Sequence, residues 1–415
     1  MNVTVWGINY APELTGIAPY NRALCEHLQR TGHTVRMVTT FAYYPAWKKA
    51  PDDRGKLFRT DVLNGVPVHR CWHYVPRRVT TARRMLHEAS FIATTFLRLL
   101  TLPRPDIYVV VSPPLLLGLA ARTLKLIHRR PYVFHVQDLQ PDAAVGLGML
   151  KPSAFTRLLY GLEALAYRHA AAVSGIGRGM LEAFTRKGVP AARQIYFPNG
   201  ANLPAENELP ARGRFRARHG FGSGEFLAIY SGNLGVKQGL DILVASARQL
   251  AGSRVRIVIC GDGAVRPKLE AAIQQEKLQN INLLPLQPDR EYQEMLADAD
   301  VCLVTQQAGS GAAFLPSKLL TVLALARPVV GVADDTSALR SAMDEGGFGK
   351  CVPPDDAQQL TQVLRSLADL PEELARYGAN GRQYVAQFAF DRVLPRFTAE
   401  LEKLMAVKRS AEMSK

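Results

Sequence analysis

Short runs of β-branched and aliphatic residues at 3–8, 34–39, 107–111, 132–136 and 171–176 alternate with stretches long enough for helices. This alternation constrains the fold more than any other feature. Strands that read as continuous apolar runs are buried on both faces, which calls for helices on either side of a parallel sheet. The pattern restarts at 226–230, 255–260, 281–284, 301–304 and 328–332. Between the two sets, 197–210 turn to Pro-Asn-Gly and proline-rich punctuation, and 211–224 are basic and polar with no convincing apolar period, so a domain boundary is expected there. The reading is two α/β domains with parallel sheets, at 1–203 and 225–390, with a linker at 204–224. A last amphipathic helix at 391–407, apolar through Val393, Leu394, Phe397, Leu401 and Leu404, needs a surface to cover and is expected to cross back to the first domain. The tail at 408–415 is expected to fray.

A chain of 415 residues at 47% hydrophobic is too long for one ordinary core and too apolar for disorder. No apolar run reaches the roughly 18 residues of a spanning helix, and 3–8 is too short for the core of a signal peptide, so a cytoplasmic protein is expected. The five cysteines, Cys25, Cys71, Cys260, Cys302 and Cys351, contain no Cys-x-x-Cys pair and read as core thiols in a reducing compartment rather than metal ligands.

The formal charge of +15 is one-sided. Residues 1–200 hold 26 Lys/Arg against 11 Asp/Glu, while 201–415 hold 25 of each. The densest part is 70–130, where eleven basic residues meet only Glu88 and Asp106. Such a field attracts a polyanion, an anionic membrane surface or a phosphorylated substrate.

In open parallel sheets, ligands bind beyond the carboxyl ends of the strands, and two facing sheets make a cleft. The residues after each strand are therefore the candidates. The first strand runs into a loop with Gly16, which permits close backbone approach, and Pro19 suits the first turn of the next helix. No Gly-x-Gly-x-x-Gly follows that strand, which speaks against a dinucleotide-dependent oxidoreductase. After the run at 132–136 come Gln137, Asp138 and Asp142; Asp138 either orients a sugar hydroxyl or caps the following helix, and His135 reads as a satisfied core residue. The second domain opens with Ser231-Gly232-Asn233-Leu234-Gly235-Val236-Lys237-Gln238-Gly239, a glycine-spaced loop whose amides and Lys237 suit a phosphate. It lacks the Gly-Lys-Ser/Thr ending of a Walker A loop. Gly261 and Gly263 follow a further strand. Gly311 and the helix start Pro316-Ser317-Lys318 offer a second cradle, and a lysine at the end of a helix that favours anions points to a bound ligand. Two lysine-bearing cradles suit a diphosphate.

These loops together resemble retaining glycosyltransferases of family four with the GT-B architecture, two Rossmann-like domains facing across a cleft. The general marks are the Gly16 loop, Pro198-Asn199-Gly200, Ser231-Gly232-Asn233 through Lys237 and Gly239, Gly261-Asp262-Gly263, and Ala326-Arg327-Pro328-Val329-Val330. Gly7-Ile8-Asn9-Tyr10-Ala11-Pro12-Glu13-Leu14-Thr15-Gly16, Tyr43-Tyr44-Pro45, Tyr74-Val75-Pro76 and Gln137-Asp138 are similar, more narrowly, to colanic-acid-type exopolysaccharide fucosyltransferases. The resemblance implies transfer of a sugar from a nucleotide-diphosphate donor, GDP-fucose foremost, to a polyprenyl-diphosphate-linked saccharide, with no metal, no other cofactor and no nucleic acid. It implies Lys237, Lys318 and Asp138 as catalytic residues, and Gly16, Gly232, Asn233, Gly239, Gly261, Gly263, Gly311, Pro316 and Ser317 around the donor. Two departures stand out. The family's glutamate pair falls on Ala313 and Thr321, and its Gly-Arg falls on Gly232-Asn233. A sugar-nucleotide epimerase and a catalytically degenerate scaffold are the alternatives.

Residues 83–102 read as a helix with Met85, Ala89, Ile92, Phe96 and Leu99 on one face, flanked by Arg77, Arg78, Arg83, Arg84, Arg98 and Arg104. A basic amphipathic helix of this kind either lies in an anionic membrane interface or belongs to the first core. The first alternative places the protein peripherally on the inner face of the membrane.

Overall fold

The computed structural model describes residues 1–14, 16–78, 80–146, 151, 153–309 and 315–413. The chain forms two compact units, one of Met1–Asn199 with Phe390–Lys415, the other of Gly200–Ala389.

The first unit is built on an eight-stranded sheet in the order β3-β4-β2-β1-β5-β6-β7-β8. Its strands are β1 (Asn2–Trp6), β2 (Thr34–Thr40), β3 (Phe58–Leu63), β4 (Val66–Cys71), β5 (Ile107–Ser112), β6 (Tyr132–Val136), β7 (Ala172–Gly175) and β8 (Gln194–Tyr196). All neighbours are parallel except β3 and β4. Every residue of β5 and β6 is buried, as the apolar runs require. The edge hairpin β3–β4 is absent from the sequence reading, because β3 alternates exposed and half-buried residues and forms no apolar run. Its turn does carry a sequence signal: Asn64-Gly65 joins Leu63 to its partner Val66, and both turn residues have positive φ, 50° and 80°.

The second unit holds a six-stranded, all-parallel sheet in the order β11-β10-β9-β12-β13-β14. Its strands are β9 (Phe226–Ser231), β10 (Val255–Cys260), β11 (Ile281–Leu284), β12 (Val301–Thr305), β13 (Val329–Val332) and β14 (Gly349–Val352). Residues 204–224, expected to be a linker, are folded onto this unit. The short helix Arg214–His219 buries Phe215 completely, and Asp298, itself buried, accepts hydrogen bonds from the amides of Gly213 and Arg216. Arg212 and Arg216 pair with Asp300 at 2.7 and 2.6 Å, and Arg218 with Glu294 at 2.8 Å. The basic run that hid an apolar period is thus satisfied by acids of the same unit, with one aromatic as its anchor.

The last helix, Phe390–Met413, belongs to the first unit. Val393, Leu394, Phe397, Leu401 and Met405 join the core containing Val3, Leu24, Val109 and Ile195, and Phe397 stacks on Phe197 with ring centroids 3.9 Å apart. Strand order reverses between β1 and β5 in the first sheet and between β9 and β12 in the second. The crevices at these two reversals are where ligands of doubly wound sheets bind.

Candidate functional site

The loops after β9 and β12 flank the reversal in the second unit. Gly232 leaves β9 with φ 139°, and its amide donates to the Cys260 carbonyl at 2.9 Å; the Leu234 amide donates to the Asp262 carbonyl at 2.8 Å. The loop after β10 therefore braces the loop after β9. Gly261 and Gly263 serve that contact: a Cβ on Gly261 would stand 1.9 Å from the Gly232 carbonyl oxygen, and one on Gly263 2.5 Å from that of Leu234. These glycines let the two loops touch, in addition to the donor approach expected of them. Gly239, with φ 58°, lies against Gln307, whose amide donates to the Lys237 carbonyl at 2.8 Å. Lys237 is half-buried in the short turn Val236–Gln238, and the Asn233 side chain is exposed.

Lys318 enters from the other side of the reversal, on the helix Ser317–Ala324, whose N-cap is Pro316. Its ammonium is buried, has no hydrogen-bond partner among the described residues, and lies 3.6 Å from the centroid of the Tyr230 ring. Burial lowers its pKa to about 7. The site thus offers backbone amides, a half-buried lysine and a desolvated amine. Ser317 and Thr321 are exposed on the same helix, while Gly311 and Ala313 lie outside the described residues.

In the first unit, three of the narrow motifs meet through specific contacts. The Glu13 carboxylate, 7% exposed, accepts from the amides of Tyr43 and Tyr44, both at 2.9 Å, and from the Asn9 side chain at 2.8 Å. Burial nonetheless holds its carboxyl above the usual range. The buried Arg70 guanidinium donates to the Ala11 carbonyl at 2.5 Å and to Asp61 at 2.6 Å. The Tyr43 ring packs against Trp47, His73 and His87, and His87 Nδ1 lies 2.6 Å from the Tyr74 carbonyl oxygen. Gly16, at φ 67°, lies beside the Tyr44 ring. Glu13, Arg70 and His87 were missed as organisers of this site. The signal for Glu13 was a carboxylate in an otherwise apolar loop.

His135 is buried and satisfied by Ser174 at 2.9 Å and Gln137 at 2.8 Å, and burial lowers its pKa to about 3. Gln137 also donates to Asn199 at 2.9 Å, joining the fourth motif to the Pro198-Asn199-Gly200 turn. Asp138 is half-buried beyond β6. Asp142, expected to face a ligand, pairs instead with Lys187, which also holds Glu163 at 2.6 Å.

The helix Thr81–Thr101 buries His87, Phe91, Thr95 and Leu99, a stripe rotated from the one read in the sequence. Ile92 and Phe96 are half-buried, whereas Met85, Leu86, Leu97 and Leu100 are exposed. Arg77, Arg78, Arg83 and Arg84 are exposed as well. The physical reason is the fourfold spacing of the buried residues, two of them polar and hydrogen-bonded: Thr95 accepts from the Trp6 indole of β1 at 2.9 Å, and His87 Nδ1 meets the Tyr74 carbonyl oxygen.

Residues 15–200 match the model for a glycosyl transferase 4-like domain and 211–384 that for glycosyl transferases group 1. Over 383 residues the chain is 32% identical to the colanic acid biosynthesis glycosyl transferase WcaI of Escherichia coli (strain K12), covering 90% of this chain and 93% of that one. The chain belongs to the GT-B glycosyltransferases. As a glycosyltransferase, it shares its fold with sucrose-phosphate synthase from Thermosynechococcus elongatus, at TM-score 0.76, 18% identity and coverage of 98% of this chain and 99% of that one. HepE of Anabaena in complex with UDP-glucose superposes at TM-score 0.70 with 14% identity, covering 97% of this chain and all of the other. Among the described residues of this glycosyltransferase, no three His, Cys, Asp or Glu side chains come together to hold a metal ion.

Proposed function

We propose that this glycosyltransferase moves a sugar, with retention, from a nucleotide-diphosphate donor to a polyprenyl-diphosphate-linked saccharide in exopolysaccharide synthesis, with GDP-fucose the leading donor. The observation that carries the donor reading is Lys318: a desolvated amine with no hydrogen-bond partner among the described residues, beside loop glycines at a strand-order reversal. The likeness to WcaI, named for colanic acid biosynthesis, supports the exopolysaccharide setting, and HepE, solved with UDP-glucose, supports a nucleotide sugar as the ligand class.

Cleavage of a sugar–phosphate bond builds oxocarbenium character on the sugar and negative charge on the departing diphosphate. Stabilising that charge is the main electrostatic task, and Lys237, Lys318 and the loop amides are suited to it. Attack by the acceptor hydroxyl from the face the leaving group vacates retains configuration without an enzyme nucleophile, which fits Thr321 in place of a family glutamate. Asp138 remains the candidate to orient a sugar hydroxyl.

For the acceptor side, the helix Thr81–Thr101 exposes Met85, Leu86, Leu97 and Leu100 next to Arg77, Arg78, Arg83 and Arg84. The adjoining helix Leu117–His128 exposes Leu126 and Ile127, followed by Arg129 and Arg130. Apolar side chains left in solvent beside exposed arginines, of which Arg84 alone pairs with an acid, Glu88, at 3.1 Å among the described residues, support peripheral binding to an anionic membrane, where a lipid-linked acceptor resides.

A panel of GDP-fucose, GDP-mannose and UDP-sugars against lipid-linked monosaccharides tests the proposal. Transfer to the lipid-linked acceptor with retained anomeric configuration is the expected result. Donor converted without acceptor would make the protein an epimerase, and no turnover of any donor would make it a scaffold.

A further inference from the structure

The geometry points to Tyr230 as the positioning residue for Lys318, holding its ammonium against the ring face beside the Gly232 turn until a donor diphosphate takes it over. This inference rests on the donor reading of Lys318 given above.

Tyr230 is completely buried near the end of β9, and its hydroxyl donates to the Asn233 carbonyl at 2.8 Å. The ring is thereby tied to the loop that replaces the family's Gly-Arg. Lys318 reaches across from the helix after β12, with Nζ 3.6 Å from the ring centroid. A Cβ on Gly232 would lie 3.6 Å from Lys318 Cδ and 3.9 Å from both Nζ and the Tyr230 hydroxyl. The amine therefore occupies a slot with the tyrosine on one side and a turn without a side chain on the other.

The ionisable groups that face it are Tyr230 from β9 and Cys302 from β12. Burial raises both, Cys302 to about 12, so both are neutral near pH 7. Among the described residues no carboxylate acts on Lys318, and burial pushes its pKa to about 7. Within this slot the face of the aromatic quadrupole favours the charged form, as Cys302 does to a smaller degree than burial opposes it. An arginine at position 233 would carry a permanent charge; Asn233 carries none, and the chain relies on a lysine whose charge is conditional. A diphosphate brings the missing anion, so its binding completes protonation of the amine at neutral pH.

The test is calorimetric titration of the full chain with GDP, and in a second arm with UDP, at pH 6 and pH 8. Lys318→Arg, whose charge does not titrate in this range, supplies the pH dependence of the nucleotide itself. Relative to that variant, wild-type affinity is expected to fall about tenfold between the two pH values, following the protonated fraction. Tyr230→Phe should keep this ratio, because the ring face remains. Tyr230→Leu should widen it at least threefold, through loss at pH 8 with affinity at pH 6 retained. If Tyr230→Leu does not fold, mono-, di- and trifluorophenylalanine at position 230 keep the shape while weakening the ring face, and affinity at pH 8 should fall stepwise. A wild-type ratio in Tyr230→Leu, equal loss at both pH values, or a flat fluorination series overturns the positioning role. Lys318→Ala with unchanged affinity at both pH values overturns the donor reading itself, a separate failure.

Discussion

The Glu13 carboxylate meets the amide of Tyr43 at 2.9 Å and thereby ties together two sequence motifs thirty residues apart. The same oxygen takes the Tyr44 amide, so one side chain satisfies two backbone donors that a loop of this shape would otherwise bury unpaired. Glu13→Ala is expected to destabilise the protein by about 3 kcal/mol, the cost of leaving those donors without acceptors. Glu13→Gln, which keeps one carbonyl oxygen, should cost less than half as much. Denaturant melts of the three proteins check the order.

The two lysines separate in their effect on stability. Lys237→Ala and Lys318→Ala should each weaken donor use by about 2–4 kcal/mol in transition-state terms, measured as kcat/KM with the correct donor. The folded pKa of Lys318, about 7, lies below its ordinary value of 10.5. Between these values the unfolded chain binds the extra proton, so wild-type stability rises with pH from about 7 upward and the burden of burial is fully present below it. Lys318→Met should lose donor use to the same extent as Lys318→Ala and yet be more stable than wild type at pH 7, on the order of 2 kcal/mol, with a flatter stability profile between pH 7 and 10. A Lys318→Met protein less stable than wild type would show that the amine is not a strained group.

Phe397 stacks on Phe197 and is 1% exposed, so Phe397→Ala should cost about 3–5 kcal/mol. Removal of the chain from Asp391 onward strips Val393, Leu394, Phe397, Leu401 and Met405 from the first core together and should leave a protein that does not melt cooperatively. A cooperative melt at the wild-type temperature would show that the helix is dispensable.

Co-sedimentation examines the membrane reading. Anionic vesicles should retain the protein at low salt, with binding that weakens as salt rises and when Arg77, Arg78, Arg83 and Arg84 are all changed to glutamine, by about 1 kcal/mol per residue in contact. Equal sedimentation with neutral vesicles, or none with either, removes the proposal.

Gly261→Ala and Gly263→Ala should each abolish donor use and lower stability, since a methyl group at either position meets a backbone carbonyl oxygen of the 232–234 loop. Thermal melting alongside donor kinetics distinguishes this from loss of a ligand contact, which would leave the melt unchanged.

The sequence by itself determined two sheets and the parallel strands that read as apolar runs, though not the short edge strands β8 and β14. Each buried strand announced itself as an apolar run, because both of its faces are covered, and residue-to-residue periodicity is a local property. It also identified the GT-B resemblance, through glycines whose conformations a turn demands, such as Gly232 at φ 139°. The hairpin β3–β4 stayed hidden because an edge strand has one half-exposed face and no run to show, and the helix Arg214–His219 because its neutralising acids, Glu294, Asp298 and Asp300, lie some eighty residues away. Only tertiary structure decided which partner each side chain meets. Asp142 went to Lys187, Glu13 to the Tyr43 and Tyr44 amides, and Lys318 to the face of Tyr230. Burial, charge and hydrogen-bond satisfaction depend on neighbours brought in by the fold, and a string of residues does not contain its neighbours in space.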